Sequence, residues 1–296
     1  MSARRWPIGS TPIQAPAYDK EAPPVKIYIS ADIEGVAGVV SPEQCRPGNA
    51  EYERARRLMT EEVNAAVEGA LAGGATAILV NDSHGPMTNL LPELLHPAAE
   101  LILGKPKPFN MFAGLEADHA AVFCTGYHAS AANYGVLAHT TNGFAFRRVE
   151  VDGRVLGEAG IYGAYAGERN IPVGLITGDD VCIEEHRPLF PDAEFVQVKR
   201  ALGNRAAQSL GVAAARAAIR DAAERAARRA GALRPFRIER PRELVLDMTG
   251  AALADLVATI PVSRRLDATR VGLPLTSMAD AVRWMNTASA MSAMLR

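Results

Sequence analysis

Short apolar runs alternate with longer amphipathic segments through the first two thirds of the chain. Apolar runs at residues 26–31, 75–80, 120–124 and 173–176 predict buried strands, and residues 51–73 predict a helix that ends at a Gly-Gly pair. Further signals predict a short strand at 100–103, a tight hairpin within 144–156 and a helix at 158–167. This alternation predicts an α/β fold, a parallel or mixed sheet sandwiched by helices.

The last third of the chain has a different pattern. An Ala/Arg-rich segment at 208–230 predicts a helix, and residues 278–294 predict a closing helix. We expect three parts: an irregular N-terminal arm at 1–24, an α/β catalytic domain at 25–200 and a smaller C-terminal α+β lobe at 201–296.

Composition and charge narrow the classes of partner. The 296 residues are 48% hydrophobic and 22% charged, which is typical of a globular protein, and the formal net charge is −1. We therefore expect neither nucleic-acid nor membrane binding. Asp221 and Glu224 interrupt the Arg-rich segment, so we interpret it as a solvated helix face.

The cysteines exclude two kinds of framework. Cys45, Cys124 and Cys182 are widely spaced and form no CxxC pair, so the pattern favours neither a zinc ribbon nor disulfides. Residues 1–24 have no apolar h-region, so we expect that they are not a signal peptide, and we expect a reducing, cytoplasmic location. A metal site in this chain must use His, Asp and Glu.

Polar residues follow three of the predicted strands directly. Asp32 and Glu34 lie on one side of the first strand's end because side chains alternate with period two. His84 follows the second strand and His128 a third, and the carboxyl ends of parallel strands meet at one sheet edge. Two neighbouring carboxylates repel each other unless a cation lies between them, which suits a divalent metal. The alternative is one carboxylate that caps a helix and one that is solvated.

Other polar residues leave alternatives open. His139 could reach the same edge as acid, base or nucleophile, and Glu158, between glycines, could complete a metal shell or favour a helix start. For Asp179 and Asp180 we favour helix capping or support of a ligand, and we interpret His186 as structural because no HExxH pattern surrounds it.

Taken together, these residues resemble the DppA-type D-aminopeptidases, peptidase family M55. The resemblance rests on short segments that cover residues 25–185 densely and the last third loosely. They are Ser30-Ala31-Asp32-Ile33-Glu34-Gly35, Asn81-Asp82-Ser83-His84, Gly126-Tyr127-His128-Ala129, Ala138-His139-Thr140 and Gly157-Glu158-Ala159-Gly160.

The resemblance implies a site with two metal ions per chain. Asp32 would bridge both ions, Glu34 and His84 would complete one shell, and His128 and Glu158 would complete the other. His139 would be the catalytic histidine, proposed in the family as a nucleophile; on chemical grounds we favour an acid/base role. The resemblance also implies a homodecamer of two pentameric rings that encloses its active sites.

Metal identity and substrate remain open at this point. Oxygen and imidazole ligands suit zinc, and also manganese or cobalt. The expected reaction is removal of N-terminal D-amino acids from short peptides or amino-acid amides. The alternatives are a related metallo-amidase, a β- or L-aminopeptidase, or a metal-binding assembly protein without turnover. A nucleotide-binding domain is disfavoured because the chain lacks GxGxxG and P-loop patterns.

Overall fold

The computed structural model describes residues 24–296, which form twelve strands and six α-helices. The strands are β1 (Lys26–Ala31), β2 (Ala77–Asp82), β3 (Ala99–Ile102), β4 (His119–Thr125), β5 (Phe146–Val151), β6 (Arg154–Val155), β7 (Val173–Asp179), β8 (Glu194–Gly203), β9 (Ala206–Ser209), β10 (Glu243–Met248), β11 (Arg264–Arg265) and β12 (Arg270–Pro274). The helices are α1 (Ala50–Ala72), α2 (Glu158–Glu168), α3 (Asp180–His186), α4 (Val212–Arg228), α5 (Ala251–Val257) and α6 (Met278–Met291).

Seven strands form the larger sheet, in the order β3-β2-β1-β4-β7-β8-β9. All neighbours are parallel except β8 and β9, which form an antiparallel hairpin at one edge. The central strands end in register, since Ala31 pairs with Asp82 in β2 and with Thr125 in β4. The residues that follow these three strands therefore emerge side by side, as the sequence predicts.

Helices α1 and α4 cover one face of the larger sheet. Their apolar side chains share a core with Ile27 and Ile29 of β1. The two helices approach closely at Gly69, where a Cβ atom would lie 2.1 Å from the carbonyl oxygen of Arg220. Asn49 caps the start of α1 by accepting a hydrogen bond from the Tyr52 amide, at 2.9 Å.

The opposite face of the larger sheet packs on α2, α6 and the smaller sheet. The smaller sheet has the order β11-β12-β10-β5-β6 and is antiparallel throughout. Helix α2 is buried over nearly its whole length, from Glu158 to Gly167, which its apolar sequence allows. Both sheets contribute to one apolar core around this helix.

The mixed α/β architecture confirms the predicted fold class. The β5–β6 hairpin joins the smaller sheet, whereas β8, which follows it in the chain, belongs to the larger sheet, and α4 packs on that larger sheet. Membership of the two sheets therefore does not follow chain order. The domain division at residue 200 stays a prediction. The expected arm at 1–24 lies outside the described residues except for Pro24. Among residues 24–296, every helix is too short or too polar to cross a membrane.

Candidate metal centre

Five predicted ligand side chains meet at the carboxyl edge of the larger sheet. Asp32 and Glu34 follow β1, His84 follows β2, His128 follows β4, and Glu158 begins α2. All five are buried, with at most 8% of each residue exposed to solvent. The structure brings together all the side chains that the strand-end pattern and the resemblance single out.

Asp32 lies at the centre and directs its two oxygens to different partners. Its Oδ1 lies 3.1 Å from Nδ1 of His84, and that nitrogen is also 2.9 Å from Oε2 of Glu34. Its Oδ2 lies 3.4 Å from Nε2 of His128, which is 3.5 Å from Oε2 of Glu158. The carboxylate of Asp32 thus separates two clusters, each with one histidine and one further carboxylate.

Backbone carbonyls fix the orientation of the histidine rings. His84 Nε2 lies 2.8 Å from the carbonyl oxygen of Cys45, and His128 Nδ1 lies 2.9 Å from that of Ala129. A carbonyl only accepts hydrogen bonds, so each of these nitrogens carries a proton. In the neutral ring the other nitrogen then has a free lone pair, and in both residues that nitrogen faces the carboxylates. This is how metal-binding histidines are oriented in proteins.

Three buried atoms in the cluster show whether its side chains could bind a cation. Within residues 24–296, Glu34 Oε2, His128 Nε2 and Glu158 Oε2 make no hydrogen bond of acceptable geometry. Ligand atoms of Asp32, Glu34 and His128 lie within 4.8 Å of one another. Buried polar atoms normally have partners, and these three converge with lone pairs when the His128 ring is neutral. The donor set of oxygen and imidazole nitrogen therefore fits divalent metal ions.

Charge pairing keeps the carboxylates of Asp32 and Glu158 ionised in spite of burial. Burial disfavours the carboxylate of Asp32, but the imidazoles of His128 and His84 beside it hold its pKa well below the usual value. The pKa of Glu158 is likewise lowered, against the effect of burial, by the charge of His128. Both histidines have a pKa raised well above the usual value because the nearby carboxylates outweigh their burial. Ionised carboxylates are the form that binds cations.

His139 lies at the more open side of the same cluster. Its side chain is 26% exposed, and Nε2 lies 4.0 Å from Oε1 of Glu158. The ring stacks on that of His128 with centroids 4.2 Å apart. His139 Nδ1 lies 2.9 Å from the carbonyl oxygen of Leu137, so Nε2 is the nitrogen left to react in the neutral ring. The histidine can therefore exchange a proton beside Glu158.

The segment that carries His139 is held in an unusual backbone conformation. Leu137 and Thr141 have φ angles of 54° and 59°, in the left-handed region that residues with side chains rarely adopt. The Thr141 amide donates to Oε1 of Glu158 at 2.5 Å, which ties this segment to the cluster. Such conformations persist where surrounding contacts determine them, and they concentrate at functional sites.

The remaining candidates lie outside the cluster. Asp179 caps α3 by accepting a hydrogen bond from the Cys182 amide at 2.7 Å, which agrees with the expected capping role. It also accepts a hydrogen bond from the Val136 amide. Asp180 accepts from the Ala201 amide rather than reaching the site. His186 is fully buried, and its Nδ1 lies 2.7 Å from a carbonyl oxygen of its own helix, which agrees with a structural role.

Comparison with known proteins identifies the family to which the chain belongs. The sequence model of the peptidase M55 family, described as D-aminopeptidase, matches residues 25–287. A D-aminopeptidase of Bacillus subtilis (strain 168) is 38% identical over 191 residues, which cover 64% of this chain and 69% of the relative. The solved structure of the Zn-dependent D-aminopeptidase DppA from Bacillus subtilis, a self-compartmentalizing protease, aligns with a TM-score of 0.87 at 31% identity. That alignment covers 91% of this chain and 98% of the DppA chain.

A buried cluster of carboxylates and histidines at the edge of an α/β sheet defines a metallohydrolase type of site. The chain belongs to the peptidase M55 family of D-aminopeptidases. It is accordingly a hydrolase that acts on peptide bonds, and the predicted family and enzyme class are confirmed.

Proposed function

We propose that the protein is a dinuclear zinc-dependent aminopeptidase that hydrolyses short peptides or amino-acid amides from a free N-terminus, with preference for D-amino acids. The central observation in support is the geometry of Asp32, whose two oxygens face two separate clusters. Each cluster adds one inward imidazole nitrogen and one carboxylate oxygen that lacks a hydrogen-bond partner. One carboxylate between two such groups is the arrangement of two-metal hydrolases.

The residues divide between the two ions as follows. Glu34 and His84 would hold one ion, His128 and Glu158 would hold the other, and Asp32 would bridge them. Bound divalent ions would supply Lewis acidity toward the scissile carbonyl and would lower the pKa of a bound water. Zinc dependence of the DppA relative supports zinc as the metal, while the donor set also accepts manganese or cobalt.

His139 performs proton transfer in this proposal. In the neutral ring Nε2 can accept a proton from the attacking nucleophile, because Nδ1 already donates to Leu137. The resulting imidazolium lies 4.0 Å from the carboxylate of Glu158, which stabilises its charge. The imidazolium can then protonate the leaving amine. Direct attack by Nε2 requires the same lone pair and remains the alternative.

Assembly and location form the rest of the proposal. The DppA relative is a self-compartmentalizing protease, which supports an oligomer that encloses its active sites, and we propose a decamer of two pentameric rings. We also keep the predicted cytoplasmic location as part of the proposal.

The test combines metal analysis with paired substrates. We expect about two zinc ions per chain and hydrolysis of D-alanine amide well above that of L-alanine amide, abolished by chelator. His139→Ala should lower kcat about 10²–10⁴-fold with metal content unchanged, the range for loss of a general acid/base. His96→Ala, a histidine remote from the cluster, is the control.

Different outcomes exclude different parts of the proposal. Full activity of His139→Ala would remove this residue from the mechanism. Bound metal without cleavage of either amide would favour the metal-binding assembly protein. Faster cleavage of the L substrate would reverse the stereochemical preference, and absence of bound zinc would contradict the metal centre itself.

A further inference from the structure

A buried lysine lies directly behind the metal-ligand segment. Lys199 of β8 is 2% exposed, and it forms no ion pair with a carboxylate within residues 24–296. Its Nζ donates instead to three backbone carbonyl oxygens, those of Glu34, Val36 at 3.0 Å and Val39 at 2.6 Å. All three ammonium hydrogens are thereby used on one short stretch of chain.

Burial of this charge is unfavourable by itself. Removal of an ammonium group from water costs roughly several kcal/mol of hydration free energy, even after the surrounding protein has relaxed. Buried lysines are therefore rare unless they are paired. The carbonyls that replace the water belong to residues 34–39, which have no helix or strand to satisfy them. The Val36 carbonyl also accepts from the Val39 amide at 3.1 Å, and lysine supplies one hydrogen to each of the three carbonyls that converge on this point.

The same segment carries a ligand of the proposed metal centre. Other contacts hold its middle and far end: Glu62 accepts from the Ala37 amide at 2.9 Å, and Ser209 accepts from the Gly38 amide at 3.0 Å. Among the described residues, however, Lys199 provides the hydrogen bond to the carbonyl of Glu34. Removal of Lys199 would therefore leave the Glu34 carbonyl without this donor, whereas Ala37 and Gly38 keep their contacts to Glu62 and Ser209.

Close backbone contacts restrict the position of the residues around this segment. A Cβ atom at Gly35 would lie 1.9 Å from the carbonyl oxygen of Tyr127, the residue before His128. The Gly35 amide donates to the Gly126 carbonyl at 2.7 Å. Asp32 is likewise fixed, because its amide donates to the Thr125 carbonyl at 2.9 Å. Asp32 and His128 thus keep their supports when Lys199 is removed, and Glu34 loses one.

We propose that Lys199 is a positioning residue that sets the affinity of one metal ion, the ion held by Asp32, Glu34 and His84. The ion held by Asp32, His128 and Glu158 does not depend on it. This inference rests on the proposed dinuclear function. Lys199 would touch neither ion, yet its loss would weaken the binding of one ion and not of the other.

The experiment uses Lys199→Met, which keeps a long apolar side chain and removes the donor. We expect the variant to keep one zinc ion tightly and to bind the second about 10–100-fold more weakly, the range for loss of a contact that supports a metal ligand. Zinc affinities are measured by competition with a coloured chelator. Activity should return at raised free zinc, which a merely misfolded enzyme would not show. Arg200→Met removes the adjacent, exposed cation of β8 and is the matched control.

Each outcome has one meaning. Wild-type affinity for both ions in Lys199→Met overturns the proposal, and so does equal weakening of both ions in a folded variant. If Lys199→Met does not fold, Lys199→Gln, which keeps a neutral donor, is measured in the same way and by the same criteria. Failure of the dinuclear function itself is visible separately, since wild-type protein would then bind fewer than two ions.

Discussion

At the scale of single residues, the molecule buries several charged groups, although burial disfavours charge. A different kind of contact stabilises each of them. The carboxylates of the proposed metal centre lie beside imidazoles. Lys199 is matched by carbonyls, and burial lowers its pKa to about 8. Glu62, on α1, has the fewest stabilising contacts of these groups. One of its oxygens accepts from the Ala37 amide, and the other has no hydrogen-bond partner within residues 24–296.

Glu62 gives rise to a pH-dependent stability. Burial raises its pKa from 4.5 to about 7, although the Ala37 amide, Lys199 and Arg216 act in the opposite direction. The folded state therefore binds a proton more tightly than the unfolded state, and its contribution to stability is lost as pH rises from about 4.5 to about 7.

Glu62→Gln keeps an acceptor for Ala37 and removes the ionisation. The free energy of unfolding of the variant, relative to wild type, should increase by about 3 kcal/mol between pH 4.5 and pH 7.5 and then level off. Urea unfolding at several pH values measures this difference. Glu68→Gln, on the exposed side of the same helix, is the control. A difference that does not change with pH would contradict the assignment.

At the scale of elements, the close approach of α1 and α4 depends on glycine rather than on larger apolar side chains. At Gly69 an added Cβ atom would lie 2.1 Å from the backbone oxygen of Arg220 and 2.8 Å from Cβ of Ala223. Neither atom is the end of a flexible side chain, so the helices must separate to accept it.

Gly69→Ala is therefore expected to destabilise the protein even though alanine favours helices. The net loss should be about 1–3 kcal/mol in the free energy of unfolding, with kcat/KM of the remaining folded enzyme unchanged. Chemical denaturation measures the loss. Gly231→Ala, at a position with open space around it, is the control. Equal or greater stability of Gly69→Ala would contradict the packing argument.

Elements with a strong local pattern were predictable from the sequence, and their partners were not. The helix predicted at 51–73 is observed as α1, because periodicity and a Gly-Gly stop are local signals. The segment predicted as a helix from residue 208 begins instead with the end of β9, and α4 starts at Val212. Pairing of β5 with β10 depends on contacts between residues about 100 positions apart in the chain, which no local pattern encodes.

The candidate site was predictable from the sequence to a similar extent. Strand-end positions and the family resemblance led to Asp32, Glu34, His84 and the other cluster residues. The carbonyls that orient the histidine rings were not predictable, since every residue has a carbonyl and its direction depends on the folded backbone. Lys199 was not predictable for a different reason: a lone lysine in a strand is ordinarily a surface residue.

At the scale of the whole molecule, the proposed metal centre connects parts that are distant in sequence. Its proposed ligands lie just after three strands of the larger sheet and at the start of α2, the helix around which both sheets share one core. A bound ion therefore joins the sheet edge to that core. Ligand binding that occurs in the folded state alone stabilises it by mass action, and here the gain should extend to both sheets.

Removal of the metal should accordingly lower the stability of both sheets together. With zinc at about 1,000 times its dissociation constant, chelation should cost about 4 kcal/mol per ion in the free energy of unfolding. Thermal unfolding with chelator, and after re-addition of zinc, measures the loss, and hydrogen exchange locates it. We expect reduced protection in β10 and β12 as well as in β1 and β4. Loss confined to the ligand segments would mean that the centre stabilises its own loops and does not couple the two sheets.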